Sequence, residues 1–130
     1  NLKWDNFYLK RNIEIEENVC KNILGVHNID KPYIFLHEDA TCIEEDRTIK
    51  RKYINSDIRI INISEFNDIS ILDMALLIER AQEVHVINSA FLTFIDLMNI
   101  QHPNLYYHKY ARPNPVEQVA LRLNWNIIDK

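Results

Sequence analysis

The sequence predicts an α/β protein, a three-layer Rossmann-like sandwich with a mostly parallel sheet of four or five strands. Short apolar runs rich in β-forming residues alternate with segments of 10–15 residues that have helical periodicity, the pattern of βαβ units. The 130 residues, 47% hydrophobic and 26% charged, suit one globular domain of roughly 100–200 residues. We therefore expect a single domain that spans residues 1–130.

Each element has its own local signal. The predicted strands are continuous apolar runs bounded by polar or turn-forming residues, and lie at 33–36, 57–63, 84–87 and 105–108, with a further edge strand at 125–128. The predicted helices show an apolar stripe and capping residues, and lie at 7–24, 68–81, 89–99 and 115–123. Gly25 is expected to end the first helix at its C′ position, and Asp68 or Ser70 to cap the second. The charged segment 41–53 is predicted to be a loop with one helical turn.

The strand order predicts a ligand crevice. If the 33–36 strand is central, with 57–63 on one side and 84–87 on the other, the order reverses between its neighbours. Ligands of open α/β sheets bind at that switch point, outside the carboxyl ends of the strands. His37-Glu38-Asp39 and Asn88-Ser89 would then lie on opposite lips of one crevice.

The junction between the third strand and its helix is a candidate phosphate site. The hydroxyl of Ser89 and the backbone N–H groups of Ala90 and Phe91 lie where a helix N-terminus favours anions. The alternative is that Asn88 or Ser89 only caps the helix, a role that contributes about 1 kcal/mol. The two roles are compatible.

Other polar residues follow the strands. His37, Glu38 and Asp39 could contact a sugar hydroxyl or a reacting proton, or simply form a polar strand exit. The cations of the following segment could neutralise a diphosphate, or be ordinary solvated charge; they are Arg47, Lys50, Arg51 and Lys52.

The fourth strand and its exit carry aromatic and cationic residues. Tyr106 and Tyr107 are expected to point to the two faces of the strand, whereas Tyr110 and Arg112 lie beyond it and are candidates for ligand contact. His85 alternates with valines inside a strand, which favours a packed or hydrogen-bonded histidine over a ligand-binding one.

Composition excludes several classes of protein. A single glycine rules out both the GxGxxG and the GxxxxGK[ST] phosphate-binding motifs. The net charge of −4 and the scattered basic residues argue against nucleic-acid binding. The five histidines form neither HxH nor HExxH, so we expect no metal or other cofactor. The GxSxG elbow of many hydrolases is absent too.

The cysteines and the hydropathy bear on localisation. Cys20 and Cys42 form no CxxC motif, which favours a reducing compartment, although one bridge between them stays open. The sequence shows neither an apolar run of about 20 residues nor a signal peptide. We expect a cytoplasmic protein without a membrane span.

Several short motifs together resemble one protein family. They are a first helix led by Trp4 and Phe7 with Arg11, Tyr-Ile-Phe-Leu-His-Glu-Asp at 33–39, Arg-x-Tyr-Ile at 51–54, the segment 78–86, Asn-Ser-Ala-Phe at 88–91 and Tyr-x-x-Tyr-x-Arg at 107–112. With this arrangement the chain resembles the C-terminal, donor-binding half of a GT-B glycosyltransferase, in the clan of fucosyltransferases and bacterial heptosyltransferases.

The resemblance implies metal-independent transfer of a hexosyl or deoxyhexosyl group from a nucleotide-diphosphate sugar to a glycan acceptor. By similarity Ser89, Ala90 and Phe91 would hold phosphate, and Arg47 or Arg51 would add positive charge. His37 and Asp39 would face the donor or the acceptor.

The chain also departs from that pattern. Fucosyltransferases carry an arginine near the end of the first strand, where this chain has His37-Glu38-Asp39, so the donor sugar does not carry over. The acceptor-binding N-terminal half of a GT-B enzyme would come from a longer protein or from a partner, or the chain would be a compact relative of these enzymes. The alternative function is a non-catalytic binding or regulatory module of flavodoxin-like topology.

Overall fold

The protein is built on a five-stranded, all-parallel sheet in the order β2-β1-β3-β4-β5. The computed structural model describes residues 10–44, 46–66, 68–98, 102–112 and 121–130. The strands are β1 Tyr33–His37, β2 Arg59–Asn62, β3 Glu83–Val86, β4 Leu105–His108 and β5 Trp125–Ile128. The α/β sandwich, the central position of β1 and the edge position of β5 are therefore confirmed.

The described helices are α1 Ile13–Val26, α2 Ala75–Arg80 and α3 Ala90–Leu97, and short 3₁₀ turns lie at Arg51–Tyr53, Ile63–Glu65, Ile71–Met74 and Lys109–Ala111. Polar side chains cap the starts of α1, of α3 and of the 3₁₀ turn that leads into α2. Asn12 caps α1, Ser70 caps the turn before α2, and Ser89 caps α3. Of the two predicted caps for the second helix, Ser70 is the one that accepts a bond.

The first helix differs from its prediction at both ends. Residues 10–12 are not helical, because the Asn12 side chain accepts the N–H of Ile15 at 3.2 Å and starts the helix one residue later. Gly25 lies inside α1 and does not take the C′ position. The left-handed residue is Asn28, with φ 52, a conformation that asparagine tolerates. The predicted start at 7–9 lies outside the described residues.

Other boundaries also moved. The second strand ends at Asn62 because a 3₁₀ turn begins at Ile63, and the predicted helix at 68–81 is divided into a 3₁₀ turn and α2. Most of the predicted helix at 115–123 lies outside the described residues, and residues 121–123 are not helical.

The central strand is buried on both faces, as in other parallel sheets. Tyr33 and Phe35 face the larger core, which receives side chains from α1, α2 and α3. Ile34 and Leu36 face the second core, where they meet Ile49 and Ile54. We call residues 47–54, which cover this second face, the strap.

The two connections that leave the switch point lie on opposite faces. The β1–β2 connection carries the strap, whereas the β3–β4 connection carries α3, which packs on the first face. Connections of one hand must lie on opposite faces when the strand order reverses, so this arrangement follows from the order itself. It leaves a crevice between the carboxyl ends of β1 and β3.

A buried carboxylate fixes the entry to the edge strand. Asp96 in α3 accepts the N–H groups of Arg122 at 2.9 Å and Leu123 at 3.0 Å, and the indole N–H of Trp125 at 2.9 Å.

Among the described residues, no helix combines the length and the apolar character that crossing a bilayer requires.

Candidate functional site

The crevice at the switch point has a volume of about 510 Å³. Segments that follow four strands form its walls. The lining residues are His37, Glu38, Asp39, Ala40 and Thr41 at and beyond the end of β1, Asn62, Ile63, Ser64 and Glu65 at and beyond the end of β2, Ile87, Ser89 and Phe91 after β3, and Arg112 after β4. The crevice therefore lies where the topology predicted a ligand site.

Ser89 stands at the N-terminus of α3. Its Oγ accepts the N–H of Phe91 at 3.2 Å, so the serine caps the helix. Both Ser89 and Phe91 line the crevice. The first turn of α3, with its positive dipole end and its N–H groups, thus borders the cavity.

His37 joins the opposite lip to this serine. The His37 Nδ1 lies 3.3 Å from Ser89 Oγ, and its ring packs on Phe91 with 4.3 Å between ring centroids. Burial lowers the pKa of His37, against the opposing effects of the Asp39 and Glu38 charges. A neutral imidazole can accept the Ser89 hydroxyl proton at Nδ1, while the serine oxygen accepts the helix N–H.

A charged pair of residues borders the same cavity. Two bonds from Thr41 to Asp39 Oδ1, at 3.1 and 2.7 Å, lower the pKa of Asp39, and the charges of Arg47 and Arg112 act in the same direction. Arg112 Nη1 donates to the backbone oxygen of Asn88 at 3.1 Å. This bond holds a guanidinium beside the N-terminus of α3.

Glu38 is the structural centre of the crevice floor. Its carboxylate is buried; Oε1 accepts Ile49 N–H at 2.8 Å and Arg51 Nη1 at 3.0 Å. Oε2 accepts Arg51 Nη2 at 2.9 Å and Asn62 Nδ2 at 2.8 Å. Burial would raise the pKa of Glu38, but these bonds lower it overall. Because the carboxylate is occupied, Glu38 ties the strap to β1 and β2.

The crevice brings some of the predicted site residues together and not others. His37, Asp39, Ser89, Phe91 and Arg112 line it, and Asn88 and Ala90 flank Ser89 in the chain. Arg47 is paired with Asp39 by a backbone β-bridge and by an ion pair in which Arg47 Nη1 lies 3.7 Å from Asp39 Oδ2.

The two remaining predicted residues lie in the strap region. Arg51 is engaged by Glu38, and the Tyr110 hydroxyl accepts the N–H of Lys50 at 2.9 Å. Neither residue lines the crevice.

The sequence reasoning missed the residues after β2. Ser64 Oγ donates to the backbone oxygen of Glu38 at 2.6 Å and accepts the Glu38 N–H at 3.0 Å, so it joins β1 to β2 inside the crevice. The signal was available, because Asn62 and Ser64 are polar residues at the carboxyl end of a strand.

His85 is buried and hydrogen-bonded, as predicted, but its partner was not foreseen. The His85 Nδ1 lies 2.7 Å from the Nε2 of His108, and both rings are fully buried. This pair lies on the second face, under the strap.

No group of three or more potential metal ligands occurs within the described ranges. Comparisons of the chain with protein families, with curated proteins and with solved structures find no match.

Proposed function

We propose that the chain is the donor-binding domain of a glycosyltransferase and that its crevice holds the diphosphate of a nucleotide-activated sugar. The observation that carries the proposal is the convergence of Ser89, His37 and Arg112 at the N-terminus of α3. A helix N-terminus, a hydroxyl and a guanidinium are the groups that bind phosphate without a glycine-rich loop.

The geometry favours Arg112 as the cation for the leaving group. Arg51 is held by both oxygens of a buried carboxylate, whereas Arg112 borders the cavity and contacts the backbone before the cap. Negative charge on a departing nucleoside diphosphate would be stabilised by this guanidinium and by the dipole of α3. We therefore propose Ser89, Phe91 and Arg112 as the phosphate contacts.

The sugar would lie towards the β1 and β2 side of the crevice. His37 offers an imidazole N–H and Asp39 offers a carboxylate on that side. Such groups bind sugar hydroxyls by hydrogen bonds. In this proposal the acceptor half comes from a further domain or partner, the transfer needs no metal, and the free thiols of Cys20 and Cys42 fit the cytoplasm.

A flavodoxin-like binding module is the second candidate. The observed strand order, with the crevice beside β1 and β3, is the order of that topology. Such a module would bind a mononucleotide such as FMN, or another anion, without transferring a sugar.

A thermal-shift panel separates these functions. We would measure the melting temperature with UDP, GDP, ADP, their sugar conjugates and FMN. Ligand at 100 times its Kd should stabilise the fold by about 2.7 kcal/mol. Stabilisation by a nucleoside diphosphate and its sugar supports the transferase; stabilisation by FMN alone supports the module. An unchanged melting temperature with every compound would contradict both.

A further inference from the structure

A chain of hydrogen bonds crosses the second face of the sheet. Glu83 Oε1, at the start of β3, lies 2.8 Å from His85 Nε2, and His85 Nδ1 lies 2.7 Å from His108 Nε2. His108 Nδ1 lies 3.0 Å from the Tyr110 hydroxyl, which accepts the N–H of Lys50. This series of hydrogen bonds joins the amino-terminal edge of the sheet to the strap.

The two ends of this chain determine its direction. An ionised Glu83 can only accept, so His85 must carry its proton on Nε2 and present a lone pair at Nδ1. His108 must then donate from Nε2 and accept at Nδ1. The Tyr110 hydroxyl donates to that lone pair, which leaves its oxygen to accept the Lys50 N–H. Every donor in the chain has an acceptor, with both imidazoles neutral.

We propose that Glu83 sets the tautomers of His85 and His108 and, through them, orients the Tyr110 hydroxyl that holds the strap. Glu83 and the two histidines are then positioning residues for the crevice. The effect on ligand binding rests on the proposed function; the effect on the tautomers and on the strap does not.

The link to the crevice passes through neighbouring strap residues. Lys50 lies between Ile49 and Arg51, and both of these donate to the carboxylate of Glu38. Glu38 lines the crevice. Loss of the Tyr110 bond would therefore loosen the segment that fixes the crevice floor.

A packing role alone would not require this direction. The His85 ring stacks on Tyr106 with 4.5 Å between centroids and an angle of 4°, and this contact is the same for either tautomer. A test must therefore change the direction of the chain and preserve its shape.

Glu83→Gln is that test. The glutamine amide can either accept from His85 or donate to it, so both directions become possible. In wild-type protein, long-range ¹H–¹⁵N NMR should show both histidines as the Nε2–H tautomer. In Glu83→Gln we expect a mixture of tautomers and about fivefold faster hydrogen exchange at the Lys50 amide.

Two further variants control the result. Glu17→Gln removes the same charge from an exposed ion pair with Arg80 and should retain the wild-type tautomers and exchange. Tyr110→Phe removes only the hydroxyl; it should accelerate Lys50 exchange while His85 stays Nε2–H. Tyr110→Phe also tests the proposal if Glu83→Gln fails to fold.

The outcomes decide between the two claims. Wild-type tautomers and Lys50 exchange in Glu83→Gln, or an Nδ1–H tautomer at His108 in wild type, would overturn the inference. With inorganic pyrophosphate as probe, we expect about fivefold weaker binding in Glu83→Gln and Tyr110→Phe. Failure of pyrophosphate to bind wild type would count against the proposed function, and the tautomers would still decide this inference.

Discussion

The Nδ1 atom of His37, the last residue of β1, lies 3.3 Å from the Oγ of Ser89, which caps α3. This contact joins the two lips of the crevice at the switch point. One lip is the end of β1, and the other is the junction between β3 and α3. The hydroxyl serves the helix and the histidine together, so a ligand at this position would compete with the imidazole for one serine proton.

Lowering the pH should destabilise the protein, and this loss of stability should begin at pH values above those at which carboxylates titrate. Burial lowers the pKa of His85, and burial and the charge of His85 lower the pKa of His108 to about 3. The titratable groups that face the pair are Glu83 from β3, Tyr106 from β4, Tyr110 from the turn after β4 and Tyr53 from the strap.

The sign follows from proton binding in the two states. Below about pH 6.5 the unfolded histidines bind protons that the folded ones exclude, so the free energy of unfolding decreases as the pH is lowered. The slope should approach about 1.4 kcal/mol per pH unit for each histidine. Urea denaturation at pH 7.5, 6 and 5 measures it. His108→Asn should lower the slope by the share of one histidine, with His37 and His85 supplying the rest, and a flat profile in wild type would contradict the prediction.

Arg51→Met should destabilise the fold by about 1–3 kcal/mol, because it leaves the buried Glu38 carboxylate with fewer donors. Methionine keeps the apolar part of the side chain, so the loss of stability measures the contribution of the guanidinium. Arg80→Met is the matched control: its ion pair with Glu17 joins two half-exposed side chains, and its loss should cost less than about 1 kcal/mol. Equal losses in urea denaturation would mean that Glu38 does not need Arg51.

Asp96→Asn should loosen the edge strand. Three N–H groups bond Oδ1 of this carboxylate, and the Arg122 N–H also bonds Oδ2. Asparagine removes the negative charge and turns one of the two oxygens into an NH₂ donor that faces these N–H groups. We expect a loss of about 1–3 kcal/mol and faster hydrogen exchange across β5. Asp129→Asn, which alters an exposed carboxylate in the same region, should stay within about 0.5 kcal/mol. Wild-type exchange in Asp96→Asn would show that β5 is held by its backbone pairing with β4 alone.

Local patterns were enough to predict the sheet and the crevice. The apolar run that begins at Tyr33 indicates a strand that is buried on both faces, and Ser89 indicates the start of a helix. Each signal lies within a few residues of the element that it predicts. The order of three strands then placed the two lips together. The end of α1 was less predictable, since Asn28 takes the left-handed conformation that Gly25 was expected to adopt.

The contacts of the strap could not be predicted from local signals. Arg51 reaches Glu38 across a loop without periodicity, so its carboxylate partner depends on the folded course of the strap. The pairing of His85 with His108 depends on the register between β3 and β4, which aligns His85 with Tyr106. Neither relationship has a signature within a short window of sequence.

The central claim is that Ser89 binds phosphate as well as capping α3. Two variants separate these roles, because asparagine and aspartate are both good N-caps, and only aspartate places a negative charge in the crevice. In the absence of ligand, the free energies of unfolding of Ser89→Asn and Ser89→Asp should therefore differ by less than about 1 kcal/mol.

The direct measurement is the Kd of the nucleoside diphosphate that stabilises wild type most, determined by calorimetry for wild type and both variants. We expect Ser89→Asn to retain binding, because its side-chain NH₂ can replace the hydroxyl as a donor to phosphate. Ser89→Asp has no such donor and should lose at least about tenfold in affinity, which is 1.4 kcal/mol of charge repulsion. Equal affinity in Ser89→Asn and Ser89→Asp would contradict a phosphate site at the N-terminus of α3.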